Sequence, residues 1–260
     1  MAQVGSANRF FRPHPWLVGG HRQTIAGYWC RRLLRWTLPA DDVIVEAEED
    51  VRLLLRAAVQ LVARFTPRVA VAGFSLGAGQ ALLALGRRLG QLPDALRAVA
   101  GVSPPLDLSV CADALARPDN RLYQHYFMAM LRETYRRRVR ARPDLFEAGR
   151  EGGARTVRDY DEAVTAPYGG YADADDYYAR SSAGPWLAAI DRPALLLAAA
   201  DDPMIPGESL TRWPLPLSGK VRREIAPTGG HVGFVGRSEA PGFFCAAPRV
   251  LDFLEEAVGT

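Results

Sequence analysis

The stretch RVAVAGFSLGAGQALLALGRRLG, residues Arg68 to Gly90, runs from a short apolar segment through closely spaced glycines into sequence of helical character. VAVAG is apolar and β-branched, the pattern of a strand buried on both faces of a parallel sheet. The helix after it is expected to begin near Leu76. At the crossing stands Ser75, inside Gly73-Phe74-Ser75-Leu76-Gly77, a match to G-x-S-x-G. In that motif the glycines two before and two after the serine, here Gly73 and Gly77, allow a tight strand-to-helix turn that pushes Oγ into the open. The helix N-terminus behind the serine then favours developing negative charge. A generic glycine turn needs neither the strand pattern before it nor the helical pattern after it, so the setting reads as a nucleophile elbow.

Outward from the elbow, apolar residues from Val51 to Phe65 recur at three- and four-residue steps, and Glu48, Glu49 and Asp50 stand at the start. That is an amphipathic helix stopped by Pro67. Before it, DDVIVEAEE reads as a short strand with Val43 and Val45 on one face. Residues 1–40 hold Pro13, Pro15, Trp16, Gly19, Gly20 and Pro39, an irregular arm with a short helix near Thr24 to Trp36. Downstream, further strands are expected at Leu96–Val102, Ala194–Ala199 and Val221–Ile225, and a last helix at Ala247–Ala257. Strands alternating with helices give the class α/β, a mostly parallel sheet flanked by helices. The expected organisation is a single domain: arm 1–40, sheet core 41–105 and 191–260, and a helical lid inserted at 106–190.

The chain has 260 residues, of which 48% are hydrophobic and 23% charged, enough for a sizeable core. Its formal net charge is only +3, with basic and acidic residues interspersed, which points away from nucleic acid as a partner. No window of about 20 apolar residues offers a membrane span, and the N-terminus has no signal-like apolar run. Three cysteines, Cys30, Cys111 and Cys245, are far apart and in no metal-like spacing. Reduced thiols, and hence a cytoplasmic setting, are the expectation.

A serine nucleophile needs a base and an orienting carboxylate. Of the four histidines, His125 falls in the lid, and His14 and His21 in the arm. His231, in APTGGHVGF just after the last expected strand, is the favoured base, with His21 in GGHRQTI as the alternative. The carboxylate is expected after the strand that precedes the histidine's strand, and LLLAAADDPMIP supplies Asp201 and Asp202 there. Adjacent residues point in different directions, so one of the two faces the histidine and the other is solvated or caps a turn. The chain order Ser, Asp, His is one that such triads use.

Three features of the lid carry lesser readings. Tyr123, Tyr126, Phe127, Met128, Met130 and Leu131 are read first as core contacts and second as a channel for an acyl chain. YRRRVRARP, Tyr135 to Pro143, reads as a solvated helix face. YADADDYY lacks the glycine and later glutamate of a calcium loop, so no metal is expected.

PWLVGGHRQTI, GFSLGAG, DEAVTAPYGGYADADDYYARSS, AADDPMIP and GGHVGF together span most of the chain. On these motifs the chain resembles the α/β-hydrolase superfamily, most closely its YheT-like esterase branch, related to the ABHD group of lipid esterases. The resemblance implies Ser75 as nucleophile, Asp202, the aspartate before Pro203, as carboxylate, and His231 as base. It implies hydrolysis of carboxylic esters with no cofactor; the expected substrates are small-molecule esters of short or medium acyl chains, with acylglycerols a candidate, and the backbone N–H of Leu76 is the expected oxyanion donor. The chain departs from the family in one respect: only about 30 residues separate Pro39 from the elbow strand, and they contain no His-Gly dipeptide to mark the loop that carries the second donor. The fold is therefore expected to be truncated upstream of the elbow, with exposed sheet edges open to self-association. The competing expectation is a catalytically impaired remnant that serves as a binding module.

Overall fold

The computed structural model describes residues 66–87, 92–236 and 246–259, together with Gly20, His21, Thr24, Val59 and Arg64. In chain order it contains β1 (Val69–Phe74), α1 (Leu76–Gly86), β2 (Leu96–Val102), α2 (Leu108–Leu115) and α3 (Arg121–Ala141). There follow α4 (Val157–Tyr160), α5 (Ala166–Gly169), α6 (Ala174–Ser181), β3 (Ala194–Ala199), α7 (Gly207–Thr211), β4 (Val221–Ala226) and α8 (Ala246–Gly259). Two of the expected strands stand at the bounds read from the sequence, Leu96–Val102 and Ala194–Ala199. The last strand runs one residue further, to Ala226, and the last helix spans Ala246–Gly259 in place of Ala247–Ala257. The strand expected at Val43–Val45 lies outside the described residues. So do the helices expected near Thr24–Trp36 and Val51–Phe65, apart from Thr24, Val59 and Arg64.

Among the described residues the sheet has four strands in the order β1, β2, β3, β4, every pair parallel. The registers set Phe74 opposite Val102, Val102 opposite Leu197 and Ala199 opposite Ala226, so the strands end together at one edge of the sheet. β3 is buried along its whole length and β2 at every position but Arg97, as unbroken apolar strands with both faces covered must be. Ala98, Ala100 and Val102 pack with Leu195, Leu197, Val250 and Phe253, which places α8 on that face. Alternation puts Gly101 on the other face. There a Cβ would come within 3.2 Å of Leu82 and 3.3 Å of Ala78, so glycine lets α1 lie close to β2.

By internal contacts the chain divides into Met1–Leu106 with Ser182–Thr260, the sheet unit, and Asp107–Ser181, a helical unit. Residues 182–190, part of the inserted stretch as read from sequence, group with the sheet. The 3-10 turn at Gly184–Ala189 accounts for this, because a Cβ on Gly86 of α1 would meet the Trp186 carbonyl oxygen at 2.5 Å.

Within the helical unit, Met128 and Tyr135 stand two helical turns apart on α3 and pack with Ala154, Tyr160 and Val164. Leu131 is partly buried beside them, whereas Tyr126 and Met130 are exposed. Arg136, Arg137, Arg140 and Arg142 of the arginine run are exposed, while Arg138 is partly buried. Arg137 and Arg140 pair with Glu133, Arg136 with Glu151, and Arg142 with Asp144. The carboxylates of YADADDYY serve helix α6: Asp173 accepts from the Asp176 N–H, Asp176 from the Ala172 N–H, and Asp175 pairs with Arg158. Between α4 and α5 a π-helical turn, Asp161–Thr165, buries Asp161, which accepts from Thr165 Oγ1 at 2.6 Å and Tyr178 OH at 2.7 Å.

Candidate active site

Ser75 is the one residue between β1 and α1, and its N–H donates to Val102 O at 2.9 Å, tying the turn to the end of β2. Its φ is 52°, in the left-handed region that non-glycine residues seldom occupy. Gly73 makes the turn sterically possible, since a Cβ there would lie 2.6 Å from Gly77 O and 2.8 Å from Ala78 Cα. At Gly77, by contrast, a Cβ would meet nothing within 4 Å. The N–H groups of Ala78 and Gly79 donate to Ser75 O, while helix geometry leaves the Leu76 N–H without an intrahelical acceptor, directed out of the helix start beside Ser75.

Asp201 and Asp202 follow the end of β3, and His231 follows β4 after Gly229 and Gly230. The structure brings the expected side chains into one hydrogen-bonded row. Ser75 Oγ lies 2.8 Å from His231 Nε2, and His231 Nδ1 lies 2.9 Å from Asp202 Oδ2. A carboxylate only accepts, so Nδ1 carries the proton and the Nε2 lone pair faces the serine hydroxyl. The Asp202 side chain is fully buried and that of His231 is 10% exposed. Asp202 Oδ1 accepts from the Met204 and Ile205 N–H groups at 2.9 and 3.1 Å, which holds the carboxylate plane and leaves Oδ2 for the imidazole.

Asp201, the alternative carboxylate, turns away from the ring. Its Oδ1 accepts from the backbone N–H groups of Gly229 and Gly230 at 2.8 and 2.9 Å. His21, the alternative base, is exposed, and among the described residues it is His231 that meets Ser75 Oγ. Two residues that the sequence reading passed over also touch the histidine loop. Thr24 Oγ1 accepts from His231 N–H at 2.7 Å, and Ser103 Oγ accepts from Val232 N–H at 3.1 Å. Thr24 falls within GGHRQTI, so the motif is a signal for it, although its hydroxyl, unlike the His21 imidazole, carries no titratable group. Ser103 had no signal beyond its place after a strand.

Among the described residues four non-glycine residues have positive φ: Ser75 at 52°, Ser103 at 49°, Val232 at 55° and Phe234 at 43°. All lie in the loops after β1, β2 and β4. Each such residue costs of order 1–3 kcal/mol and persists only where its surroundings over-determine it, a distribution typical of functional sites. The row can carry a proton from the serine hydroxyl to the imidazole, with a buried carboxylate to stabilise the imidazolium. The stretch between Pro39 and the elbow strand, which would hold a second oxyanion donor, lies largely outside the described residues.

A profile of the alpha/beta hydrolase fold matches residues 66–237, which takes in the elbow, both aspartates and the histidine loop. The chain belongs to the alpha/beta hydrolase fold family. Within that hydrolase family it is similar to the protein named "Putative esterase YheT" of Escherichia coli, with 33% identity over 64% of this chain and 49% of that protein. It is also similar to "Phospholipase ABHD3" of Mus musculus, with 28% identity over 63% of this chain and 40% of that one. The chain thus spans about half the length, or less, of these curated relatives. Among solved structures, an esterase of Pyrococcus furiosus aligns over 81% of this chain and 63% of its own, at 16% identity and a TM-score of 0.45.

Proposed function

We propose that the protein is a serine hydrolase that cleaves small-molecule carboxylic esters through an acyl-enzyme, with Ser75, His231 and Asp202 as its triad. The observation that carries this reading is the continuous row Ser75 Oγ, His231 Nε2, His231 Nδ1, Asp202 Oδ2, with both links under 3 Å. The two curated relatives are named for esterase and phospholipase activities, which agrees with an ester bond as the target. His231 takes the Ser75 proton as Oγ attacks the ester carbonyl, and Asp202 holds the tautomer and stabilises the imidazolium. The Leu76 N–H stabilises the tetrahedral oxyanion. His231 then returns the proton to the leaving alcohol, the acyl group stays on Ser75, and water activated by the same imidazole releases it. No step needs a cofactor.

The test is covalent labelling with a fluorophosphonate, together with turnover of p-nitrophenyl esters. Labelling of the wild-type chain that vanishes in Ser75→Ala is the expected result, and a folded wild-type chain that neither labels nor turns over would overturn the proposal. That negative result is also what the binding-module alternative requires. A second donor raises such rates by roughly 100- to 1000-fold, so turnover from one donor alone is expected to be slow but measurable. β1 pairs only with β2 among the described residues, and Ala72 and Phe74 on it are exposed. This supports the accompanying proposal that copies of the chain associate through that edge, which light scattering over a concentration series tests.

A further inference from the structure

Four consecutive backbone N–H groups around the proposed base are each captured by a side chain from elsewhere in the sequence. Gly229 and Gly230 donate to Asp201 Oδ1 at 2.8 and 2.9 Å, His231 to Thr24 Oγ1 at 2.7 Å, and Val232 to Ser103 Oγ at 3.1 Å. The acceptors come from the loops after β3 and β2 and, in Thr24, from the N-terminal stretch. The Thr24 hydroxyl is used in both senses: it accepts from His231 N–H and donates its own proton to Gly20 O at 2.8 Å. Thr24 itself is buried, with 7% of its surface exposed.

The backbones meet as closely as glycine permits. A Cβ on Gly230, whose φ is +60°, would lie 2.3 Å from Gly20 O and 2.7 Å from Thr24 Oγ1. A Cβ on Gly20 would overlap Asp201 O at 1.6 Å. Gly20 of GGHRQTI and Gly230 of TGGHVGF therefore stand on two sides of one close approach. Next along, Val232 is held at φ 55°, which a β-branched residue rarely adopts, and the Ser103 hydroxyl fixes its N–H. A loop forced into that conformation relaxes when its amides lose their acceptors.

We infer that Thr24 is a positioning residue for His231: Gly20 and Thr24, with Asp201 and Ser103, set the main chain of the base so that its imidazole reaches Ser75 and Asp202 at once. The inference rests on His231 as the base, yet it concerns the placement of the ring and has a readout that needs no turnover. A misplacement of about 1 Å costs reaction rate on the order of 100-fold, so the effect belongs in kcat.

The experiment compares Thr24→Val, which keeps the shape and removes the hydroxyl, with Thr24→Ser, which keeps the hydroxyl. Each is assayed for p-nitrophenyl butyrate hydrolysis, thermal midpoint and the downfield proton resonance of His231 Nδ1–H. Thr24→Val is expected to lower kcat by about 10- to 100-fold with KM within about twofold, while Thr24→Ser stays within about threefold of wild type in kcat. The resonance shifts or broadens in the valine variant alone. Thr24→Ala replaces the valine variant if that one fails to fold. Equal kcat in the hydroxyl-free variant and wild type, or equal loss in both substitutions, would overturn the inference. If the wild-type chain has no activity, the catalytic reading falls, and the resonance alone decides: perturbed in the hydroxyl-free variant it supports the positioning role, unchanged it ends it.

Discussion

Ser75 and Asp202 show how narrowly single residues are constrained here. Asp202 Oδ1 is occupied by two backbone amides, so only Oδ2 remains for the imidazole. Replacing Asp202 by Asn places an amide where a pure acceptor stood, and the ring adopts the other tautomer or loses its orientation. kcat for ester hydrolysis is expected to fall by up to about ten-thousand-fold with folding retained, as steady-state kinetics and circular dichroism would show. The elbow glycines are expected to divide. Gly73→Ala drives its Cβ into the backbone of Gly77 and Ala78, atoms that have no room to give, and the thermal midpoint should drop sharply. Gly77→Ala adds a methyl group to open space in the first turn of a helix, so its midpoint should stay level or rise, by about 0.5–1 kcal/mol in stability. The sequence motif presented these two glycines as equivalent, and their difference comes from what each one faces.

At the scale of elements, the π turn of the helical unit joins α4 to α5 and turns Asp161 inward toward Tyr178 of α6. Burial raises the Asp161 carboxyl above the ordinary carboxylate range, with the Thr165 and Tyr178 hydrogen bonds and the Arg158 charge acting against it. A carboxyl whose folded pKa exceeds its unfolded value binds more protons in the folded state between those two values, so stability falls as pH rises through that window and levels off above it. Asp161→Asn removes this titration. The variant's midpoint, followed from the acid side upward, should lack the decline that wild type shows in the acid window. Tyr178→Phe takes one donor from a buried carboxylate and should cost about 1–3 kcal/mol at neutral pH, read as earlier hydrogen exchange in α4, the π turn and α6. None of this was legible in the sequence, where DEAVT stands only at the head of a family motif, and the π turn shows itself in the Ala166 N–H bond to Asp161 O and in the side chains it buries.

For the whole molecule, the row of catalytic candidates stands on the sheet core through Phe234. That ring is fully buried with Ala199 and Ala226 of the sheet and Val250 and Phe253 of α8, and a Cβ on Gly229 would meet it at 2.9 Å. The histidine loop is thereby packed against the same core that holds the strands together. Phe234→Ala should cost about 3–5 kcal/mol in urea denaturation and, in the fraction still folded, lower kcat because the loop loses its footing. Parallel pairing in common register brings the ends of β1, β2, β3 and β4 to one edge, which is why residues as distant as Ser75 and His231 meet at all.

Read alone, the sequence determined the α/β class, the bounds of the strands Leu96–Val102 and Ala194–Ala199, the strand-to-helix turn at Ser75, and the loops that hold Asp202 and His231. Each of these follows from a local pattern: apolar runs of strand length, glycines at fixed offsets, and acidic or glycine-rich residues just past a strand end. The tertiary structure decided what depends on direction and on distant segments. It turned Asp202 toward the imidazole and Asp201 toward the loop amides, because neighbouring residues in one loop differ only in the contacts that aim them. It set Thr24 against His231, 207 positions away in the chain, through a hydrogen bond to a backbone N–H. Every residue but proline carries that donor, so no pattern of letters marks which amide a side chain will find.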